Sequence, residues 1–156
     1  MRVRSARVEV ADEVVGAIER GLLVYVGFAR GDTPEDRAWV LSKMIGLRVF
    51  DDGAAGASAE KKKMTMSVAE IGGAVLLVSQ FTLYGDLRRG RRPSFDAAMP
   101  AEEARAAYDA TVHEARLFGV PVESGRFQAQ MQVHSVNDGP VTLWLDSAAR
   151  GAPRVG

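Results

Sequence analysis

AVLLVSQFTLY, residues 74–84, is the stretch on which the fold turns. Gly72-Gly73 marks a turn into it, four bulky apolar residues follow, and the run then ends in Ser79-Gln80-Phe81-Thr82. A short continuous apolar run of this kind, rich in branched residues, predicts a strand buried on both faces. GLLVYVGF, beginning at Gly21, has the same character and predicts a second buried strand. Val3, Ala6, Val8 and Val10 are spaced for an N-terminal strand, and ADEVVGAIERG between the two supplies turns or a short edge.

Two helices interrupt the strands. Thr33-Pro34-Glu35-Asp36 offers a cap, a proline for the first helical position and a box-like acid, so a helix is predicted from about Pro34 to Gly46 with Ala38, Trp39, Leu41 and Ile45 as its apolar stripe. Pro100 opens the second, with Glu102 and Glu103 in the first turn and Gly119 as the stop. Ala104, Ala107, Tyr108, Thr111, Ala115 and Phe118 are its expected buried face. Further strands are predicted at Leu47–Phe50, Ala129–Val136 and Val141–Asp146, with a weaker alternating run over Met64–Val68. The expectation is one mixed α+β domain over residues 1–147, a sheet with two flanking helices, and a loose tail over 148–156.

Composition narrows the chemistry. The chain has 156 residues, 20 Lys plus Arg against 20 Asp plus Glu, no cysteine and two histidines, His113 and His134. A balanced charge disfavours a bulk-charge nucleic-acid binder, and the missing cysteines remove disulfides, thiolate metal sites and cysteine nucleophiles together. His113 has no ligand-type residue at i+4, so no metal site is expected. The longest apolar run, Leu22 to Ala29, is far short of the roughly 20 residues a membrane helix needs, and the N-terminus lacks an apolar signal core, so a soluble intracellular chain is expected. P-loop, dinucleotide-fingerprint, HExxH and nucleophile-elbow strings are all absent.

Three segments carry more polarity than packing needs. Ser79-Gln80-Phe81-Thr82 places polar side chains and free N–H groups at a strand end, an array able to hold a developing oxyanion or simply a polar turn. Asn137-Asp138-Gly139-Pro140-Val141-Thr142 reads as a hairpin loop, and its Gly-Pro bond is of the type that adopts cis geometry. Gly125-Arg126-Phe127, leading to Met131, stands with Arg91-Arg92-Pro93-Ser94-Phe95 as an aromatic and arginine combination suited to a base or ribose, or equally to a strand edge. Two basic runs, Lys61-Lys62-Lys63 and Arg88, Arg89, Arg91 and Arg92, are solvated surface or phosphate contacts.

Together, SQFTLYGD at 79–86, GRRPSF at 90–95, GRF at 125–127 with MQV at 131–133, and NDGPVT at 137–142 resemble, in order and spacing, the D-aminoacyl-tRNA deacylases. The resemblance covers nearly the whole chain. It implies a homodimeric, cofactor-free and metal-free cytoplasmic enzyme built on a β-barrel-like sheet. The implied reaction is hydrolysis of the ester joining a D-amino acid to the 3′ end of tRNA, with glycine mischarged onto alanine tRNA also cleared. Carried over, Ser79, Gln80, Phe81 and Thr82 are the catalytic segment, and Gly139-Pro140 is a chiral gate of backbone carbonyls that enters the partner's site. Phe127, Met131, Val141 and Thr142 are the expected pocket, and Lys61, Lys62, Lys63, Arg88, Arg89, Arg91 and Arg92 the expected tRNA contacts.

Thr82 falls where the family's nucleophile was once sought. A threonine hydroxyl needs a base, and the sequence sets neither histidine beside it, so assistance by the tRNA's terminal 2′-OH is the favoured mechanism. Two departures touch tRNA docking: GRRPSF carries one more positive charge than the family's GMRPSF-like string, and Gly53–Lys63 is longer and richer in Ala and Gly. The alternatives are a non-catalytic RNA-binding protein of the same fold and, more weakly, a general esterase.

Overall fold

The computed structural model describes residues 1–51 and 63–151. Its elements run β1 (Arg2–Val10), β2 (Glu13–Ile18), β3 (Gly21–Val26), α1 (Pro34–Gly46), β4 (Ala74–Ser79), α2 (Ala101–Arg116), β5 (Val122–Ser124) and β6 (Gln132–Asn137). The apolar runs at 21 and 74 are the sheet's centre. β3 and β4 pair in parallel from Gly21↔Ala74 to Val26↔Ser79, and β5 extends the parallel set. β1 pairs antiparallel with β2, β3 and β6. The ADEVVGAIERG stretch is a short edge strand over Glu13–Ile18 between a turn at Ala11-Asp12 and a bend at Glu19-Arg20, as expected of it. Gly16 of β2 lies so close to β5 that an added Cβ would stand 2.7 Å from the Ser124 carbonyl oxygen, which brings the sheet nearly to closure as a barrel.

The sheet's two faces hold two apolar clusters. Leu23, Leu76 and Val78 point inward with Val3 and Val8 of β1, while Leu22, Val75 and Leu77 meet the helices through Leu41, Met44, Tyr108 and Ala115. Alternation along β3 and β4 thus reads as two buried faces, as the continuous apolar runs predicted. α1 begins with the expected capping box: the Thr33 hydroxyl accepts from the Asp36 N–H, and the Asp36 carboxylate accepts from the Thr33 N–H. Its buried residues are Leu41, Met44 and Ile45; Ala38 is exposed and Trp39 sits under the Lys43 ammonium instead of facing the sheet. In α2, Val112 belongs to the buried face, and Phe118, past the helix end, is 45% exposed.

Three predicted strands are corrected. Leu47–Phe50 and Met64–Val68 meet only in a single bridge, Phe50 with Met66. The strand expected at 129 starts at Gln132, because Arg126–Ala129 forms a turn with Gln128 at φ 60. Val141–Asp146 forms no strand. The Val141 carbonyl accepts from the N–H of Arg2, and no strand pairing is present over 142–146 among the described residues. Asn137–Pro140 is accordingly not a hairpin loop. Of the tail expected over 148–156, Ala148 and Ala149 complete a 3-10 turn that starts at Ser147, and Arg150 lies 3.5 Å from Asp36. Among the described residues no helix is long and apolar enough to cross a membrane.

Candidate active site

Ser79 is the last residue of β4, and the chain is pinned there by the Gln80 N–H donating to the Val26 carbonyl at 2.8 Å. It then folds into a 3-10 turn over Phe81–Tyr84. The first N–H groups of such a turn, those of Phe81 and Thr82, have no acceptor inside it by construction. Gly27 makes the turn possible, since a Cβ there would lie 2.9 Å from the Gln80 carbonyl oxygen and 3.2 Å from the Tyr84 ring. Burial and the nearby carboxylates of Asp32, Asp146 and Asp36 push the Tyr84 phenol up to about 12, so it is a neutral hydroxyl at neutral pH. Gln80 donates through Nε2 to the Thr82 hydroxyl. The histidines lie elsewhere: His134 on β6 reaches Glu9 at 3.3 Å, and His113 is on the exposed side of α2.

The GRRPSF segment folds back on this turn. Phe95 meets Phe81 edge to face with centroids 4.9 Å apart, although Phe81 stays 57% exposed. Asp86 and Ser94 exchange two backbone hydrogen bonds, which close the loop carrying the arginines. Arg88 is spent within it: its guanidinium grips Asp86 at 2.6 Å and holds that carboxyl down to about 2. Arg89, Arg91 and Arg92 are exposed. Lys63 is exposed as well, while Lys61 and Lys62 lie outside the described residues.

At the other motif, the Gly139–Pro140 peptide is cis and Gly139 has φ 116. The loop hangs on Arg2, a residue that sequence reasoning passed over as one basic residue of an alternating strand. Its Nε donates to the Asp138 carbonyl at 3.1 Å, and Nη1 donates to the Val49 carbonyl at 2.6 Å. The Arg2 main chain accepts from the Asp138 N–H and donates to the Val141 carbonyl, so one residue holds both flanks of the Gly-Pro pair.

The expected pocket residues are not gathered within one chain. Phe127 belongs to the helix side, between the Tyr108 ring at 5.7 Å and the Arg105 guanidinium at 4.8 Å. Tyr108 in turn donates to the Leu77 carbonyl at 2.9 Å, just ahead of Ser79. Met131 packs on the opposite side with the β1 cluster, and its sulfur would be 2.7 Å from a Cβ on Gly125. Val141 is on the helix side, and the Thr142 hydroxyl accepts from Asn137 at 3.1 Å. Tyr84 and Thr142, from the two motifs, line one cavity of about 420 Å³, but Ser79 and the residue that holds the Gly-Pro pair stand at different levels of the sheet. Arg2, under the Gly-Pro loop, is level with Leu22, whereas Ser79 is level with Val26. Four strand residues, roughly 13 Å along β3, lie between those levels.

A strand-end turn carrying SQFT and an arginine-held Gly-Pro loop are thus both present on one barrel-like sheet. Residues 1–146 match the family model described as D-Tyr-tRNA(Tyr) deacylase. The chain belongs to that family. A D-aminoacyl-tRNA deacylase of Thermotoga petrophila is 52% identical over 147 residues, covering 94% of each chain. One of Geobacter sulfurreducens is 51% identical over 151 residues, covering 97% of this chain and 95% of the other. Among solved structures, a c-Myc DNA unwinding element binding protein superposes with a TM-score of 0.81 at 38% identity, covering 91% of this chain and 92% of that one. A probable eukaryotic D-amino acid tRNA deacylase gives 0.73 at 19% identity over 89% and 92%, which speaks to the fold alone. The expectation of a hydrolase of the deacylase family on a barrel-like mixed fold stands on these likenesses.

Proposed function

We propose that the chain hydrolyses the ester between a D-amino acid and the 3′ end of tRNA, releasing both. The observation that carries the reading is the match to the deacylase family over residues 1–146, with the SQFT turn intact at its strand end. A protein that only bound RNA would have no use for that turn together with a Gly-Pro loop held from both flanks. In this reading the N–H groups of Phe81 and Thr82 receive the carbonyl oxygen as it becomes an oxyanion. The Thr82 hydroxyl is engaged by Gln80 and has no histidine as base, so the terminal ribose 2′-OH assists the attack.

Selection falls to Gly139 and Pro140, whose carbonyls would fix the substrate's α-ammonium and leave no room for an L side chain. Exclusion of this kind cannot reject glycine, so glycyl-tRNA made on alanine tRNA is also a substrate. The offset of roughly 13 Å along β3 between the levels of Arg2, which holds the loop, and Ser79 supports a homodimer in which the loop of one protomer completes the site of the other. Phe127, Met131, Val141 and Thr142 would line such a shared pocket. Exposed Arg89, Arg91 and Arg92 and the lysines at 61–63 would meet tRNA phosphates, in the cytoplasm where charged tRNA is used.

The test is incubation of the purified protein with D-Tyr-tRNA, L-Tyr-tRNA and glycyl-tRNA. Release of D-tyrosine and glycine with L-tyrosine retained is expected. No turnover of the D-aminoacyl or glycyl esters would leave the RNA-binding alternative.

A further inference from the structure

The chain that leaves β3 runs beside the SQFT turn and reaches an arginine that none of the motifs contains. The Val26 carbonyl accepts from Gln80, and Gly27 lies against the Gln80 carbonyl and the Tyr84 ring. Phe28 and Arg30 then pair with the far end of the arginine loop. The Phe28 carbonyl accepts from the Met99 N–H, and the Arg30 N–H donates to the Ala97 carbonyl, each at 2.9 Å. Arg30 follows Gly27 by three residues, at most roughly 11 Å of extended chain from the glycine that supports the turn.

Arg30 is held twice. Its main chain sits in a tight turn in which the Asp32 N–H donates to the Ala29 carbonyl at 3.2 Å, with Gly31 at φ 89, the positive value a turn of this kind takes at its third residue. Its side chain is fixed as well, since Nε donates to the Asp96 carbonyl at 2.7 Å. The residue is nevertheless exposed, and among the described residues it enters no ion pair. The carboxylates close to it in the chain are otherwise engaged: Asp32 accepts from the Ala29 N–H and Asp96 from the Ser94 hydroxyl. Arg89, Arg91 and Arg92 are also exposed and unpaired, but among the described residues no hydrogen bond fixes their side chains, and Arg88 is neutralised by Asp86. A guanidinium carries five N–H donors in one rigid plane, so with the Nε–H committed, four remain for an oxyanion.

Resting on the deacylase reading, we propose that Arg30 is a substrate-binding residue, a phosphate contact set in place before the single-stranded 3′ end of tRNA arrives. Its fork grips a backbone phosphate close to the ester, while the loop arginines meet phosphates farther along the strand. A cation already fixed by the Asp96 carbonyl loses little rotamer freedom on binding, whereas Arg89, Arg91 and Arg92 must first be ordered. The sugar-phosphate backbone is common to all tRNAs, so Arg30 serves every substrate alike and leaves selection of the amino acid to the pocket. The zero net charge of the chain is no obstacle, because unpaired positive charge beside the turn acts locally.

The experiment compares the full chain with its Arg30→Gln variant. Binding of uncharged tRNA, followed by fluorescence anisotropy between about 50 and 200 mM salt, should be weaker in the variant, with a salt slope shallower by about 0.7, the share of one single-strand phosphate contact. The loss of affinity should be roughly fivefold. In kinetics, KM for D-Tyr-tRNA should rise by a similar factor while kcat changes little, and the loss on the 3′-D-tyrosyl ester of adenosine, which has no phosphate, should be several-fold smaller. Arg30→Lys keeps the charge but not the fork, so it should retain the parent's slope and recover only part of the affinity. Unchanged affinity and slope in Arg30→Gln overturn the proposal, as does a parent that binds no tRNA. An equal loss on both esters overturns it too, because Arg30 would then act by supporting the loop and its Phe81–Phe95 contact. If the parent cleaves neither ester, the deacylase reading falls by itself, and the salt slope of tRNA binding still decides the role of Arg30.

Discussion

Arg2 and Asp138 exchange three kinds of contact: the Arg2 carbonyl accepts from the Asp138 N–H, the Arg2 Nε donates to the Asp138 carbonyl, and the two side chains pair at 3.4 Å. The first strand and the Gly-Pro loop are thereby one mechanical unit. The Arg2 side chain is only 11% exposed, and its removal strips a charged donor from the Asp138 and Val49 carbonyls. Arg2→Ala should cost about 2 kcal/mol of stability. It should also lower kcat/KM for D-Tyr-tRNA by roughly tenfold, a loss of about 1.4 kcal/mol in transition-state stabilisation. Arg2→Lys, whose single ammonium cannot span both carbonyls, should recover less than half of either loss. Denaturant melts and single-turnover deacylation read the two effects, and unchanged kinetics in a destabilised Arg2→Ala would limit the residue to folding.

Gly139 stands at φ 116, and a Cβ there would fall 2.6 Å from Arg2 Nη2 and 3.1 Å from the Val141 side chain. Gly139→Ala thus meets strain and collision together, and of the two neighbours the arginine is the one able to swing away. The expected outcome is a folded protein whose deacylation of D-Tyr-tRNA falls by roughly a hundredfold, equivalent to about 2.7 kcal/mol. Normal D-substrate kinetics in this variant would remove the loop from the site.

The helix starts, the two buried strands and the SQFT and Gly-Pro motifs were readable in the sequence because each rests on local chemistry, whereas the parallel pairing of those strands was not. Thr33 and Asp36 cap within four residues, and the runs at 21 and 74 are apolar on both faces. What was not readable depends on partners distant in the chain. Residues 141–146 are apolar enough to read as a strand, yet strand formation needs a paired neighbour, and among the described residues only Val141 has one, in Arg2. Arg2 looked like any exposed base of an alternating strand until the Asp138 and Val49 carbonyls were brought to it from 136 and 47 residues away. Phe127 and Met131, four residues apart, were expected in one pocket, but the turn at Gln128 sends them to opposite sides of the sheet.

Arg37 and Glu114 join α1 to α2 through two hydrogen bonds of 3.0 and 2.7 Å. The guanidinium holds the Glu114 carboxyl below its ordinary 4.5. A depressed carboxylate stabilises the fold fully above its unfolded value, and the contribution disappears as pH falls from 4.5 through the lower folded value. With Glu114 one-third exposed, the pair should contribute about 0.5–1 kcal/mol. Glu114→Gln should lose that amount at pH 7 and be less sensitive than the parent to acid below 4.5. Parallel stability curves for the two proteins through this range would contradict the assignment.

Thr82 gives the sharpest test of mechanism. Its hydroxyl accepts from Gln80, and the histidines that would activate it are held on α2 and at Glu9, so Thr82→Ala should keep kcat within roughly tenfold of the parent. The N–H groups of Phe81 and Thr82 survive that substitution, and with them the oxyanion contact. A D-Tyr-tRNA ending in 2′-deoxyadenosine, by contrast, lacks the assisting group and should be cleaved at least a hundredfold more slowly, because positioning by an intramolecular hydroxyl is worth several kcal/mol. The two measurements pull in opposite directions for the two mechanisms. An inactive Thr82→Ala with full activity on the deoxy substrate would make the threonine the nucleophile, and would require a base that the fold has not placed beside it.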